Sequence, residues 1–263
     1  MRNTLAIAKK ELNVYFTTVI AYSGFGAFAF LMGLVFVSSL NRYVELQNFY
    51  MGQQQPELAA RLNFNDMIIT PMFTTGVWMF LFFVPFLTMR LFAEEKSSRT
   101  FELLMSAPIG SFELVLGKFL GVSVIVVTMT ALPLVFPFML DLYGQTALGR
   151  PVDWAPVLAA SVMFALLGIA FCSVGLLISS LTESQIVASL MTFAILLASF
   201  VLPMIAGRLE GDWRAAVEYL SPVAHVSRGI EGRLLVADLT YFTSISVLFV
   251  LLTQRVIESH RWR

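Results

Sequence analysis

Long apolar runs separated by short polar segments set the pattern of this chain. No Asp, Glu, Lys or Arg occurs in 12–41, 67–89, 119–140, 154–182, 184–207 or 239–254. A helix crossing the hydrocarbon of a bilayer needs about 20 mainly apolar residues. Five runs meet this outright. The sixth, "LTYFTSISVLFVLLTQ", meets it when extended to Ile257 with Arg255 snorkelling to the interface. The pattern predicts six spanning helices at 20–40, 67–89, 118–140, 156–180, 185–207 and 239–257. The fold class is therefore an all-α integral membrane protein, a single six-span domain over 1–263.

The polar segments have their own periodicities. In 1–18, Leu5, Ala8, Leu12, Tyr15 and Phe16 recur at helical spacing, while Arg2, Lys9, Lys10 and Glu11 are free to face headgroups and water. This predicts an amphipathic helix lying in the interface. Residues 41–66 are rich in Gln and Asn and read as an outer loop, with Asp66 as N-cap of the second span. A short outer turn covers 141–155, and "TESQ" at 182–185 makes a tight hairpin between the fourth and fifth spans. The segment 208–238 mixes charges with Val217, Tyr219, Leu220, Val223 and Val226 and is broken by Pro222, Gly229 and Gly232. It predicts short amphipathic or re-entrant helices capping the outer face.

Composition agrees: 58% of residues are hydrophobic and 13% charged, and the mean hydropathy is +0.80. Soluble domains are nearer 45–50% apolar and about 25% charged. The first apolar run is too long for a signal-peptide core of about 7–15 residues and reads as an uncleaved anchor. Six spans put both termini on one side. With the termini inside, ten basic residues are cytoplasmic: Arg2, Lys9, Lys10, Arg90, Lys96, Arg99, Lys118, Arg255, Arg261 and Arg263. Seven are outside: Arg42, Arg61, Arg150, Arg208, Arg214, Arg228 and Arg233. The bias favours cytoplasmic termini. Cys172 is the sole cysteine and reads as a small buried hydrophobe.

Within the spans, Pro85, Pro133 and Pro137 predict kinks. Gly24, Gly26 and Gly33, Gly168, Ser173 and Gly175, and the pair Gly117/Gly121 permit close helix contact, which we assign to packing within one chain.

Most site signatures are missing. His225 and His260 fall on opposite sides of the membrane, so they make no joint metal site, and no zinc motif occurs. The nearest approach to a Walker A loop is "GSFELVLGKF", Gly110 to Phe119, with its glycines too far apart and Phe119 in the hydroxyl position. The spans carry no clearly intramembrane charge of the kind that ion-coupled carriers keep at depth. No set of Ser, His, Asp, Glu or Cys converges at one depth, which disfavours an intramembrane enzyme. Anything this chain moves must draw energy from elsewhere.

One inner segment stands out, "RLFAEEKSSRTFELLMSAPIGSFELVLGKFLG" at 90–121. Glu95 and Arg99 have the spacing and order of a helical ion pair. Phe101, Leu104 and Met105 form an apolar stripe opposite Lys96, Ser98, Arg99 and Glu102. Pro108 and Gly110 end this helix, and Ser111 caps the next. The residues alone leave two readings open: a solvated connector on the headgroups, or a docking element for a cytoplasmic partner.

That segment resembles the E-E-[KR]-x-x-x-T-x-E-x-L-x-x-x-P stretch of type-2 ATP-binding-cassette (ABC) export permeases, through Glu94, Glu95, Lys96, Thr100, Glu102, Leu104 and Pro108, followed by "LGKFLG". The C-terminal third, with its SP-x-x-H…RG core (Pro222, His225, Arg228, Gly229) and its R-x-x-E-S-x-R-W ending, is similar to the permease subunit of gliding-motility-type ABC exporters.

The resemblance implies a homodimer in a bacterial inner membrane, each half bound to a separate cytoplasmic ABC ATPase that holds ATP and Mg; the chain itself would bind no cofactor and no nucleic acid. It implies that 90–117 is a coupling loop, with Arg90, Glu94, Glu95, Lys96, Arg99, Thr100, Glu102, Leu104 and Pro108 as contact or brace residues. It also implies a dimer seam on the first and fifth spans. A path lined by Phe, Met and Leu suits an amphipathic or lipid-like cargo, with membrane lipid and an outer accessory protein as further partners. The competing reading is an ATP-driven mechanical or regulatory envelope complex that carries no bulk cargo.

Overall fold

The computed structural model describes residues 2–106, 109–144 and 152–261, and the described residues are helical nearly throughout. In chain order the helices are α1 (Arg2–Thr17), α2 (Val19–Gly52), α3 (Pro56–Ala60), α4 (Thr70–Thr88), α5 (Ala93–Ser97), α6 (Phe101–Ser106), α7 (Ser111–Ala131), α8 (Val135–Tyr143), α9 (Trp154–Leu181), α10 (Gln185–Ala206), α11 (Asp212–Tyr219), α12 (Pro222–Ile230) and α13 (Val236–Arg261). Six stretches are long and apolar enough to cross a membrane: Ala21–Gly52, Asn65–Ser97, Ser111–Tyr143, Trp154–Leu181, Gln185–Ala206 and Val236–His260. The six-span, all-helical fold follows from these.

The bundle is built around α9, which packs on α4, α7, α10, α12 and α13. It reaches that position through its small residues. A Cβ on Gly168 would lie 2.4 Å from Val126 and 2.7 Å from Phe80, and one on Gly175 would lie 2.1 Å from Thr88 Oγ1. Around these contacts Phe80 stacks on Phe164 at 4.2 Å, and Leu167, Phe171 and Cys172 are buried. Lipid tails are as apolar as leucine, so association rests on this close packing. Gly175→Val therefore drives its β-carbon into Thr88 and adds two methyl groups beside it. We expect it to lower stability by about 1–3 kcal/mol, read as an earlier unfolding transition of the detergent-solubilised chain.

Prolines act unequally. Pro133 lies in a 3₁₀ turn, Leu132–Leu134, that divides the third span into α7 and α8. Helix α4 continues through Pro85 and ends three residues later. Pro137 sits in the first turn of α8, where a missing N–H matters little.

The first span departs most from its expected length. Helix α2 continues past residue 40 to Gly52 and has 34 residues, about 51 Å at 1.5 Å per residue, against roughly 30 Å of hydrocarbon. Much of 41–66 is thus helix rather than loop. Its polar side chains, such as Arg42 and Glu45, lie on the exposed face, while Tyr43 turns inward and stacks on Phe64 at 4.3 Å. Asp66 does not cap: the fourth helix is preceded by a π turn, Asn65–Ile69, without a side-chain cap. Asn65 instead ties that turn to α9, donating from Nδ2 to the Asp153 carbonyl at 2.9 Å.

Both ends of the described chain lie at one end of the bundle, since α1 packs on α7 and His260 lies beside Phe101. We call this the terminal end. Gly149, Arg150 and Pro151 of the expected 141–155 turn fall outside the described residues, as does Pro108.

Candidate functional site

The charged residues of 90–121 gather at the terminal end around Lys118. The lysine stands in the second turn of α7 and is 2% exposed. Its Nζ donates to Glu11 Oε1 at 2.9 Å and to Glu95 Oε1 at 2.8 Å, and lies 5.2 Å from the Phe92 ring centroid. Three elements thus meet on one ammonium: α1 through Glu11, α5 through Glu95, and α7 itself. Lys10 adds a second cation 3.9 Å from Glu95 Oε1, while Glu95 Oε2 is buried without a hydrogen-bond partner. Buried ions are stable only when paired at close range.

The backbone brings α1 to this point through the Gly117/Gly121 pair. A Cβ on Gly117 would meet Ile7 at 2.8 Å and the Thr4 carbonyl at 2.9 Å; one on Gly121 would meet Glu11 at 2.9 Å. The expected intrachain use of this pair is its observed use. The buried face of α1 differs from the expected one. Thr4, Ala8, Glu11 and Tyr15 are buried, whereas Leu5 is 66% exposed and Phe16 40% exposed. Glu11 is inside because Lys118 draws it in.

Tyr15 continues the same face. Its hydroxyl donates to the Leu87 carbonyl, and its ring lies 5.0 Å under the Arg90 guanidinium. Burial pushes the Tyr15 hydroxyl well above the ordinary tyrosine range, with Arg90 pulling the other way, so it stays a donor. Arg90 Nη2 also donates to Thr18 Oγ1 at 3.4 Å.

Between α4 and α5 the helical ladder is broken, and α9 repairs it. Ser179 Oγ accepts from the N–H groups of Phe92 at 3.0 Å and Ala93 at 3.1 Å and donates to the Met89 carbonyl at 3.0 Å. Lys96 Nζ donates to the Ser180 carbonyl at 2.5 Å, a cation at the C-terminus of α9 where the helix dipole favours it, and lies 5.3 Å from the Phe101 ring centroid.

The loop is two helices rather than one. Helix α5 ends at Ser97, and Arg99, at φ 58°, takes the left-handed position that closes it. The Thr100 N–H returns to the Glu95 carbonyl at 3.0 Å and the Arg99 N–H to the Lys96 carbonyl at 3.1 Å, the paired bonds of a helix-terminating motif. The expected Glu95–Arg99 helical pair therefore does not form; Glu95 turns to Lys118. Ser111 is the first residue of α7 and not its cap, which is Gly110.

Exposure divides the sequence-derived residues. Glu94, Arg99, Thr100 and Glu102 face outward, whereas Arg90, Glu95, Lys96 and Leu104 are partly covered. Leu103, absent from the sequence-derived set, is 72% exposed. It lies opposite the Phe101, Leu104 and Met105 stripe, and that position was a readable signal. Lys118, Glu11, Ser179 and Ser180 were also missed.

At the opposite end, Pro222 opens α12 behind a Ser221 cap, and Gly229 lies against Met163, where a Cβ would come within 2.2 Å. His225 is buried. The Tyr219 carbonyl can only accept, so His225 Nε2 carries a hydrogen and donates at 2.8 Å. Its Nδ1 lies 2.5 Å from Asp238 Oδ1, and its ring stacks on Tyr241 at 3.9 Å. Arg228 Nε donates to Asp238 Oδ2 at 3.3 Å, and Nη2 to Oδ1. That hydrogen bond raises the Arg228 guanidinium further above its ordinary range. Asp238 was missed because it reads as the flank of a span. Asp238→Asn removes the charge that pairs with Arg228 and faces His225, and we expect a loss of about 1.5–3 kcal/mol, measured by thermal unfolding in detergent.

Among the described residues, no three of His, Cys, Asp and Glu converge as metal ligands. The terminal-end cluster contains no nucleophile paired with a base. What it does is bind four helices and a loop into one block. The family model described as "ABC-2 family transporter protein" matches residues 5–257. Among curated proteins, none matches the chain.

Proposed function

Because the chain belongs to the ABC-2 family of transporter proteins, we propose that it is the membrane subunit of an ATP-driven exporter whose α5–α6 loop receives force from a separate ABC ATPase. The chain is a multi-pass membrane protein and a permease component; its family implies an ABC ATPase partner. Direction of transport, location in a bacterial inner membrane with cytoplasmic termini, and an amphipathic cargo belong to the proposal.

The observation that carries it is the division of the 90–106 loop into an outward face and a braced face. Arg99, Thr100, Glu102 and Leu103, with Glu94 at 3.9 Å from Arg90, form a mixed charged and apolar surface that faces away from the bundle. Behind them, Glu95 is tied to Lys118 and α1, Lys96 to α9, and Phe92 and Ala93 to Ser179. A push on the outward face would thus move α4, α7 and α9 together with α1. The basic residues, ten against seven by the assumed topology, support placing this end in the cytoplasm.

Dimerisation is supported by α2 and α10, whose apolar windows are each only 22% buried, the lowest share among the six spans. Those helices are the first and fifth spans.

Coexpression with the partner ATPase tests the reading. A stable complex whose ATPase activity responds to substitutions on the outward face supports it. An ATPase that binds and turns over equally well with that face reversed overturns it. Nucleotide-driven conformational change without vectorial movement of any lipid-like cargo in proteoliposomes would favour the envelope-machine reading instead.

A further inference from the structure

We propose that the chain binds one anionic phospholipid at its terminal end, with an acyl chain in the cavity between α2 and α4 and the headgroup phosphate on Arg90. The cavity has a volume of about 350 Å³ and is lined by Ala21, Gly24, Ala27, Phe83, Phe86 and Met129, with Tyr15 and Arg90 at one end. That volume falls in the range of about 300–1,000 Å³ in which proteins bind small molecules. Its mouth lies between α2 and α4, where Ser23, Ala27 and Phe86 are exposed on the outside of the bundle.

The walls are apolar, and one cation, Arg90, stands among the lining residues. Arg90 stands two residues past the end of α4, with its side chain 12% exposed. Its bond to Thr18 is long, 3.4 Å. Glu94 is the facing carboxylate, 3.9 Å from Nε and 54% exposed, beyond hydrogen-bond reach. A guanidinium offers five N–H donors in a fork that matches phosphate, so Arg90 retains donor capacity beside an apolar hole. An anionic amphiphile satisfies both halves at once, and the surrounding bilayer is its nearest source.

Gly24 shows that the space is not required by the protein's own packing. A Cβ there would meet nothing within 4 Å. Glycine in a helix interior is unfavourable relative to other residues, yet here it keeps the cavity open. A β-carbon at this position disturbs no contact, and a longer side chain would extend into the space that Gly24 lines.

The proposal rests on the chain being a multi-pass membrane protein and not on its coupling to an ATPase, so the assay contains no ATPase. The full-length chain, delipidated in detergent, is titrated with dioleoyl phosphatidylglycerol or dioleoyl phosphatidylcholine, and bound lipid is counted by native mass spectrometry. The expected result is one phosphatidylglycerol per chain, held about tenfold more tightly than phosphatidylcholine. Arg90→Gln should abolish that discrimination, and Gly24→Leu should weaken both lipids about tenfold with an unchanged melting curve. Equal affinity of the unaltered chain for the two lipids would overturn the proposal. So would phosphatidylglycerol binding that survives Gly24→Leu intact.

Discussion

Lys118→Met is expected to destabilise the chain by about 3–5 kcal/mol, the range for removing one partner of a buried ion pair. Methionine retains the apolar stem and loses the ammonium, with its two carboxylates and its place by the Phe92 ring, so the loss reports the charge. Without it, Glu11 and Glu95 converge as two carboxylates, with the 62% exposed Lys10 at 3.9 Å from Glu95. One oxygen of Glu95 already lacks a partner, which leaves the site little reserve. The expected consequence is release of α1 from the Gly117/Gly121 surface and loosening of α5. Unfolding in detergent measures the stability, and limited proteolysis near residues 1–18 reports the release. Replacing all three residues together, as Glu11→Gln, Glu95→Gln and Lys118→Met, should recover much of the loss, because no uncompensated charge remains. A Lys118→Met chain that melts within about 0.5 kcal/mol of the unaltered one, the range of ordinary surface substitutions, would show that the cluster does not hold the loop.

The same cluster shows what the sequence made legible. The six spans were readable because charge-free runs of about 20 residues have few other uses, and Gly117/Gly121 declared a close helix contact by spacing alone. Its partner was not declared. Glu11 sits among Lys9, Lys10 and Asn13, so helical periodicity assigns it to a wet face. Only the three-dimensional meeting with Lys118, 107 positions away, turns it inward. Long-range pairing of this kind leaves no periodic trace, and the same holds for Asp238 with His225 and Arg228. The break at Arg99 was hidden for another reason. Neither glycine nor proline marks it, and arginine takes a left-handed conformation at a cost of about 1–2 kcal/mol that the closing backbone bonds offset. The length of α2 was concealed by its Gln and Asn residues, which suggest loop by composition while their helix is held by the packing of Tyr43 on Phe64.

The second large effect is expected on partner binding rather than on stability. Reversing the outward face with Glu94→Gln, Glu102→Arg and Leu103→Asp, which sets no new cation against Arg90, should leave the melting temperature within a degree or two, since exposed substitutions typically stay within about 0.5 kcal/mol. Copurification of the ATPase, and its stimulation by the permease, should fall at least tenfold. A single well-placed interface residue is often worth 2 kcal/mol or more, and an exposed leucine ringed by charges is the kind of anchor that supplies it. The two carboxylates would act mainly on association rate, so raising ionic strength should weaken the unaltered complex more than the reversed one. Glu95→Gln gives the opposite signature: reduced stability through Lys118, with the outward face intact and ATPase binding retained. The pair of results therefore separates contact from brace. If the reversed loop binds and stimulates the ATPase as the unaltered one does, the partner docks elsewhere, and the polar stretch at 90–106 is a connector held rigid for the sake of the bundle alone.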